Sequence, residues 1–150
     1  MSDVIPAGFA RHFRRSPLTE PWEPIYSRTT EQAVVIGLRA SEPHLNSRGL
    51  VHGGLLTTLA DNAMGLSCAL HLADGGGRLL TANLSIDFLN IAERGQWIEI
   101  DTAFVKPGRT ICFAQAFIAA DGRICARANA VFRVVRQQPA GSKEPGQHDE

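Results

Sequence analysis

Two regimes of hydrophobic patterning divide the chain. Between residues 54 and 72 apolar side chains occupy most positions, Leu55, Leu56, Leu59, Ala60, Ala63, Met64 and Leu66 among them, and Asp61 is the only charged residue. Such a run predicts a long helix apolar on nearly every side, one that other elements surround. Past residue 79 the period becomes two. Leu80, Ala82, Leu84, Ile86 and Phe88 alternate with Thr81, Asn83, Ser85 and Asp87; Ile98, Ile100 and Phe104 share a face; Ile124, Ala126, Ala128, Ala130, Phe132 and Val134 oppose Arg123, Arg127, Asn129 and Arg133. These are long strands, and the turn pairs Pro107-Gly108 and Asp121-Gly122 join them as antiparallel hairpins. The alanine row leaves shallow relief on which a helix can rest closely. The result is an α+β expectation: one long central helix wrapped by a curved antiparallel sheet of five or six strands.

The remaining segments are weaker in pattern. Residues 25 to 40 read as two short strands, the second with Val34, Ile36, Leu38 and Ala40 at period two. Residues 7 to 15 read as a short helix with Phe9, Ala10 and Phe13 on one side, stopped before Pro17, Pro21 and Pro24. Asp74-Gly75-Gly76-Gly77 reads as a helix stop. Beyond Arg136 nothing apolar accumulates, so a disordered tail is expected. The division is an N-terminal extension over 1–24, a domain over 25–136, and a tail over 137–150.

Composition narrows the function. A chain of 150 residues, 44% apolar and 20% charged, fits one globular domain. Fifteen basic and fifteen acidic side chains cancel, so no global field draws in nucleic acid or an anionic membrane. Cys68, Cys112 and Cys125 are odd in number, lack a C-x-x-C spacing and sit in apolar segments, as reduced core thiols do. With no basic-then-apolar leader and no run of about 18 apolar residues, a cytoplasmic location is expected.

Candidate chemistry concentrates in residues 46 to 61. Gly53-Gly54 lets backbone approach a ligand and begins a helix whose first N–H groups face a developing negative charge. Asn46 and His52 lie just upstream, and Asp61 is a carboxylate in an apolar run, costly to bury without a purpose. Together these groups are able to polarise a carbonyl and deliver water to it. Bland readings stand beside each: Asp61 paired with an arginine, His52 shaping its own loop, Asn46 as a turn residue. No G-x-S-x-G, P-loop or G-x-G-x-x-G occurs, and His44, His52 and Asp61 lack metal-ligand spacing, so no metal is expected. Gly53 and Asp61 are eight residues apart, about 12 Å along a helix, too far to touch one carbonyl. Two antiparallel helices across a two-fold axis would bring one chain's helix start to the other's carboxylate, which implies a homodimer, with the strand at 79–89 as the edge where sheets join.

The ordered set Gly-x-Val-His-Gly-Gly-x₆-Asp within Asn46 to Gly65, Thr-x-x-Leu-x-x-x-Phe-Leu from Thr81 to Leu89, and Val-x-Pro-Gly-Arg from Val105 to Arg109 resembles the hotdog-fold acyl-CoA thioesterases of the PaaI type, in the 4-hydroxybenzoyl-CoA thioesterase superfamily. It covers about residues 25 to 136. The resemblance implies a hotdog fold, dimers that often pair into dimers of dimers, and hydrolysis of an acyl-CoA to free acid and coenzyme A, with no cofactor because coenzyme A belongs to the substrate. By position it implies Asp61 as general base or nucleophile, the Gly53 N–H as oxyanion donor, Asn46 as a water-placing residue, and Thr81 as the hydroxyl that accompanies the acid. His52 is carried as a further candidate and Gly54 as a ligand-approach position. Lys106, Gly108 and Arg109, two cations on a flexible turn, are candidates for the coenzyme A phosphates. The competing readings are a non-catalytic acyl-CoA-binding hotdog module and, ranked lower, an acyl-CoA hydratase or dehydratase. Residues 1–24, with Phe9, Phe13 and Trp22, have two open roles, in the acyl pocket or at the dimer.

Overall fold

A computed structural model describes residues 4–73 and 77–136. The expected glycine stop is thus only partly within view, and the expected disordered tail lies outside the described residues. Helix α1 runs Gly53–Leu70 and buries Leu55, Leu56, Leu59, Ala60, Ala63, Met64, Ser67 and Cys68. Those positions recur at three- and four-residue steps and so make one face. The opposite face, with Thr57, Thr58, Asp61, Asn62, Gly65 and Leu66, is only partly covered. The expectation of a helix covered all round is corrected here: the chain's own sheet covers one side, and small and polar residues occupy the other.

The sheet contains β1 (Ala10–Arg11), β2 (Tyr26–Thr29), β3 (Val34–Arg39), β4 (Arg78–Phe88), β5 (Trp97–Lys106), β6 (Ile111–Ala120) and β7 (Arg123–Val135). Their order is β1-β2-β3-β5-β6-β7-β4, and every pairing is antiparallel. Strand β4 is therefore an edge, as the sequence had it. The floor under α1 is small: Ala114, Ala116, Ala126, Ala128 and Ala130 are at most 4% exposed. Cys68, Cys112 and Cys125 are free and buried, with thiol pKa values pushed up chiefly by burial. No helix among the described residues is long and apolar enough to cross a membrane.

Two departures from the expected pattern matter. The strand count is seven because residues 10 and 11 pair with β2 where a short helix was expected. Gly8 turns the chain at φ +85°, the His12 N–H continues the pairing to the Ile25 carbonyl at 2.9 Å, and the Phe9 ring meets Trp97 edge-on at 5.2 Å. A nine-residue helix is marginal alone, and docking onto the sheet wins. The second departure is a set of bulges. Between Thr81 and Asn83 the register against β7 shifts by one, so Ala82 is extra and the alternation inverts. Leu79 and Thr81 then share the helix-facing side with Leu84 and Ile86, while Leu80 is 53% exposed. A like shift between Thr102 and Phe104 turns Phe104 outward, away from the face of Ile98 and Ile100.

The alanine floor gives a stability test. Ala128→Leu forces an extra side chain under α1 and is expected to cost about 1–3 kcal/mol, read as a lowered urea midpoint, whereas Asn129→Leu on the outer face should leave the midpoint nearly unchanged.

Candidate functional site

The helix start is built by a short loop whose polar groups serve one another. Asn46 Oδ1 accepts from the Arg48 and Leu50 N–H groups at 2.9 and 3.1 Å, and its backbone closes the same turn. His44 is 2% exposed; its Nδ1 accepts from the Ser41 N–H at 2.9 Å and its Nε2 donates to the Trp22 carbonyl at 2.9 Å. That ring ties the N-terminal extension to the loop entering α1. His52 is the helix N-cap, with Nδ1 accepting from the Gly54 N–H at 2.8 Å. The loop-shaping readings of Asn46 and His52 thus each have an observed bond. The Gly53 N–H, one residue earlier, takes no acceptor among the described residues. A Cβ on Gly53 would meet Phe88 Cζ at 2.9 Å, so the first helical turn is pressed against the end of β4.

Asp61 lies on the partly covered face of α1. Its Oδ1 accepts from Thr81 Oγ1 at 2.7 Å, a bond that exists because the Ala82 bulge turns Thr81 inward; Oδ2 has no partner among the described residues. Both line a cavity of about 550 Å³. Gly65, Leu66, Leu79 and Phe132 supply its apolar wall, and His12, Arg14, Arg15, Ser16 and Thr19 close it from the N-terminal extension. The sequence reading left residues 1–24 open between the acyl pocket and the dimer and singled out none of these five for either role. The signal of this second wall was a basic run, Arg11 to Arg15, ahead of three prolines that forbid a long helix. Of the three aromatics left with open roles, Phe9 meets Trp97 edge-on, Trp22 packs against the core, and Phe13 is 65% exposed beside His12.

The other candidates stand elsewhere. Asn46, His52, Gly53 and Gly54 do not line the Asp61 cavity, nor do Lys106, Gly108 and Arg109. Lys106 borders a second cavity of about 550 Å³ on the outer sheet face, beside Phe104 and Phe113. Gly108 has a steric reason to be glycine, since a Cβ there would overlap the Ile111 carbonyl oxygen. No cluster of three or more His, Cys, Asp or Glu placed to hold a metal occurs among the described residues.

A family model described as "Thioesterase superfamily" matches residues 48–126, from the loop before α1 into β7. The chain belongs to the thioesterase superfamily. Within it, this thioesterase is 37% identical over 131 residues to a Pseudomonas aeruginosa protein named "Putative esterase PA0474", covering 87% of this chain and 97% of that one. It is 31% identical over 98 residues to human "Acyl-coenzyme A thioesterase 13", covering 63% of this chain and 67% of the human protein. Among solved structures, a Streptococcus pneumoniae hypothetical thioesterase with coenzyme A superposes with TM-score 0.69 at 27% identity, over 78% of this chain and 93% of that one. Variants of that protein with alanine in place of a threonine or of an aspartate superpose with TM-scores of 0.69 and 0.66. The wrapped-helix architecture is the hotdog fold of these neighbours.

The buried histidines of this thioesterase make stability pH-dependent. Burial is the leading cause that lowers the pKa of both His44 and His12 below the usual 6.5. A folded pKa below the unfolded one means the native state resists protonation, so their contribution is complete above about pH 6.5 and is lost as pH falls below it. Urea midpoints are expected to be level above pH 7.5 and to fall from pH 6.5 toward 5.5, with a shallower fall in His44→Gln.

Proposed function

We propose that this chain hydrolyses acyl-CoA thioesters to the free acid and coenzyme A, working as a homodimer. The observation that carries the reading is Asp61, held through Oδ1 by the Thr81 hydroxyl at 2.7 Å in the wall of a 550 Å³ cavity, with Oδ2 left to act. The named activities of the relatives and the coenzyme A of the Streptococcus pneumoniae structure agree with it. So do the residue types altered in that protein, a threonine and an aspartate.

In this reading the thioester carbonyl oxygen accepts from the Gly53 N–H of the neighbouring chain, the first-turn amide with no internal acceptor. Asp61 takes a proton from water as the water oxygen attacks the carbonyl carbon, and returns it as the C–S bond breaks and the thiol of coenzyme A leaves. Direct attack by Oδ2, giving an anhydride that water opens, uses the same groups. The two-chain requirement follows from about 12 Å of helix between Gly53 and Asp61. The partly covered face of α1 and the unpaired edge of β4 are the surfaces such a dimer would join, and a pair of dimers is compatible with them. Asn46 contributes through its side-chain Nδ2 donor, because its Oδ1 is taken up by the turn. His52 and Gly54 act by setting the helix start. Lys106, Gly108 and Arg109 reach coenzyme A phosphates only if the partner chain carries that hairpin to the site. No cofactor enters, and three buried free thiols suit a reducing cytoplasm. The hydratase reading is less well supported, since His52 Nδ1 is engaged by the Gly54 N–H as the helix cap.

Asp61→Asn should stay folded and lose roughly 10²- to 10⁴-fold in kcat with a smaller change in KM, followed by thiol release from acyl-CoA; unchanged turnover would refute the assignment and favour a binding module. Thr81→Val should lower kcat by a smaller factor, and Thr81→Ser should restore it, because the hydroxyl rather than the methyl positions the carboxylate.

A further inference from the structure

The wall that the N-terminal extension contributes to the Asp61 cavity has a chemistry of its own. From His12 to Thr19 the segment contains no carboxylate, and it presents Arg14 and Arg15 to the cavity; Arg78 joins them from β4. None of these three guanidiniums makes an ion pair or a side-chain hydrogen bond among the described residues. Asp61 is the only acid among the described lining residues, and its Oδ1 is already taken by Thr81. His12 is 9% exposed, and its Nδ1 is buried without a partner, a cost that a structure carries when a missing group normally answers it. Its ring is set by contact with Phe13 at 4.8 Å and by its own backbone bond to Ile25.

Three like charges around one concavity repel, and each guanidinium is a forked donor suited to a carboxylate or phosphate. The middle of the cavity is apolar, through Leu66, Ala69, Leu79 and Phe132, and its lining follows α1 from Asp61 to Ala69, eight residues or about 12 Å. A ligand that fits has a reactive end at Asp61, an apolar body, and a negative charge at the rim.

We propose that the His12–Thr19 wall, with Arg78, binds an anionic group of the substrate itself, either a carboxylate at the far end of the acyl group or a phosphate of the coenzyme A portion. The inference rests on the acyl-CoA reading of the site and adds to it a charge requirement supplied by residues 12–19, which lie outside the stretch matched by the family model. Lys106 and Arg109, on the hairpin between β5 and β6, are not needed for it.

Thioethers that cannot be hydrolysed separate this inference from the hydrolase reading. Dissociation constants are measured by calorimetry for S-alkyl-coenzyme A, S-(ω-carboxyalkyl)-coenzyme A and the two corresponding pantetheine thioethers, which lack the nucleotide phosphates. The proteins are the full chain and its Arg14→Gln/Arg15→Gln variant, two exposed positions. A loss of about tenfold or more in the variant confined to carboxyalkyl ligands identifies the acyl carboxylate; the same loss confined to the coenzyme A ligands identifies a phosphate. Arg14→Lys/Arg15→Lys should recover part of it. Equal affinities in variant and parent for all four ligands would overturn the proposal, and so would an equal loss on all four, uncharged alkyl-pantetheine included, since that marks a change of shape. Thiol release from acyl-CoA by the unaltered chain is followed separately: its absence ends the hydrolase reading and leaves these affinities as a test of the anion site.

Discussion

The structure depends on how one helix divides its surface. A single curved sheet covers only one side of α1, and the alanines of β6 and β7 bring that side close enough to exclude water from Leu55, Leu59, Met64 and Cys68. Burial of this kind supplies most of the stability available to a domain of this size. Apart from the buried Ser67, whose Oγ accepts from the Val34 N–H, it leaves the polar residues of the helix along the other side, where Thr57, Thr58, Asp61 and Asn62 lie. The carboxylate is therefore neither sunk in the core nor free on a surface: one flank rests on packed structure and the other opens to a cavity.

What gives that carboxylate its hydroxyl partner is a fault in the neighbouring strand. Perfect alternation through β4 would place Leu79 and Thr81 on the outer side of the sheet and leave Asp61 without its hydroxyl donor. The bulge at Ala82 reverses the first part of the strand relative to the last. Leu84 and Ile86 keep their places over the core, while Thr81 reaches the helix. At the far end of the same strand Phe88 bears on Gly53, so one edge strand touches both ends of the proposed chemistry.

Much of this was legible in the residues. The long helix, the three long hairpin strands, the edge position of β4 and the family itself follow from periodicity and from a few spaced motifs. The failures have physical causes. Period-two counting cannot see a bulge, since an inserted residue changes the face without changing composition, so Leu80 and Phe104 were assigned inward and are exposed. The segment around Ala10 carries a helix-like spacing of Phe9 and Phe13, yet pairing with β2 and contact with Trp97 outweigh a short helix's own propensity. The arginines at 14 and 15 belonged to that misread stretch, and their place at the cavity arises from chain reversal at Gly8 and sheet pairing, which local pattern does not encode. At the helix entry, the residues singled out from the sequence make bonds that composition does not reveal: His52 and Asn46 spend their acceptors on neighbouring amides.

The extra residue in β4 also governs which sequence changes this chain tolerates over evolutionary time. Replacing Ala82 alters a side chain at the solvent side and leaves the backbone path intact. Removing it joins Thr81, opposite Phe132, directly to Asn83, opposite Val131, in a regular ladder that still turns Thr81 to the acid, whereas regular pairing with Ala82 retained would rotate Arg78 to Thr81 by half a turn and put Leu80 there. Lineages sharing this strand should therefore keep the extra residue and the bulge together or lack both, and vary freely in the residue's identity where it is kept.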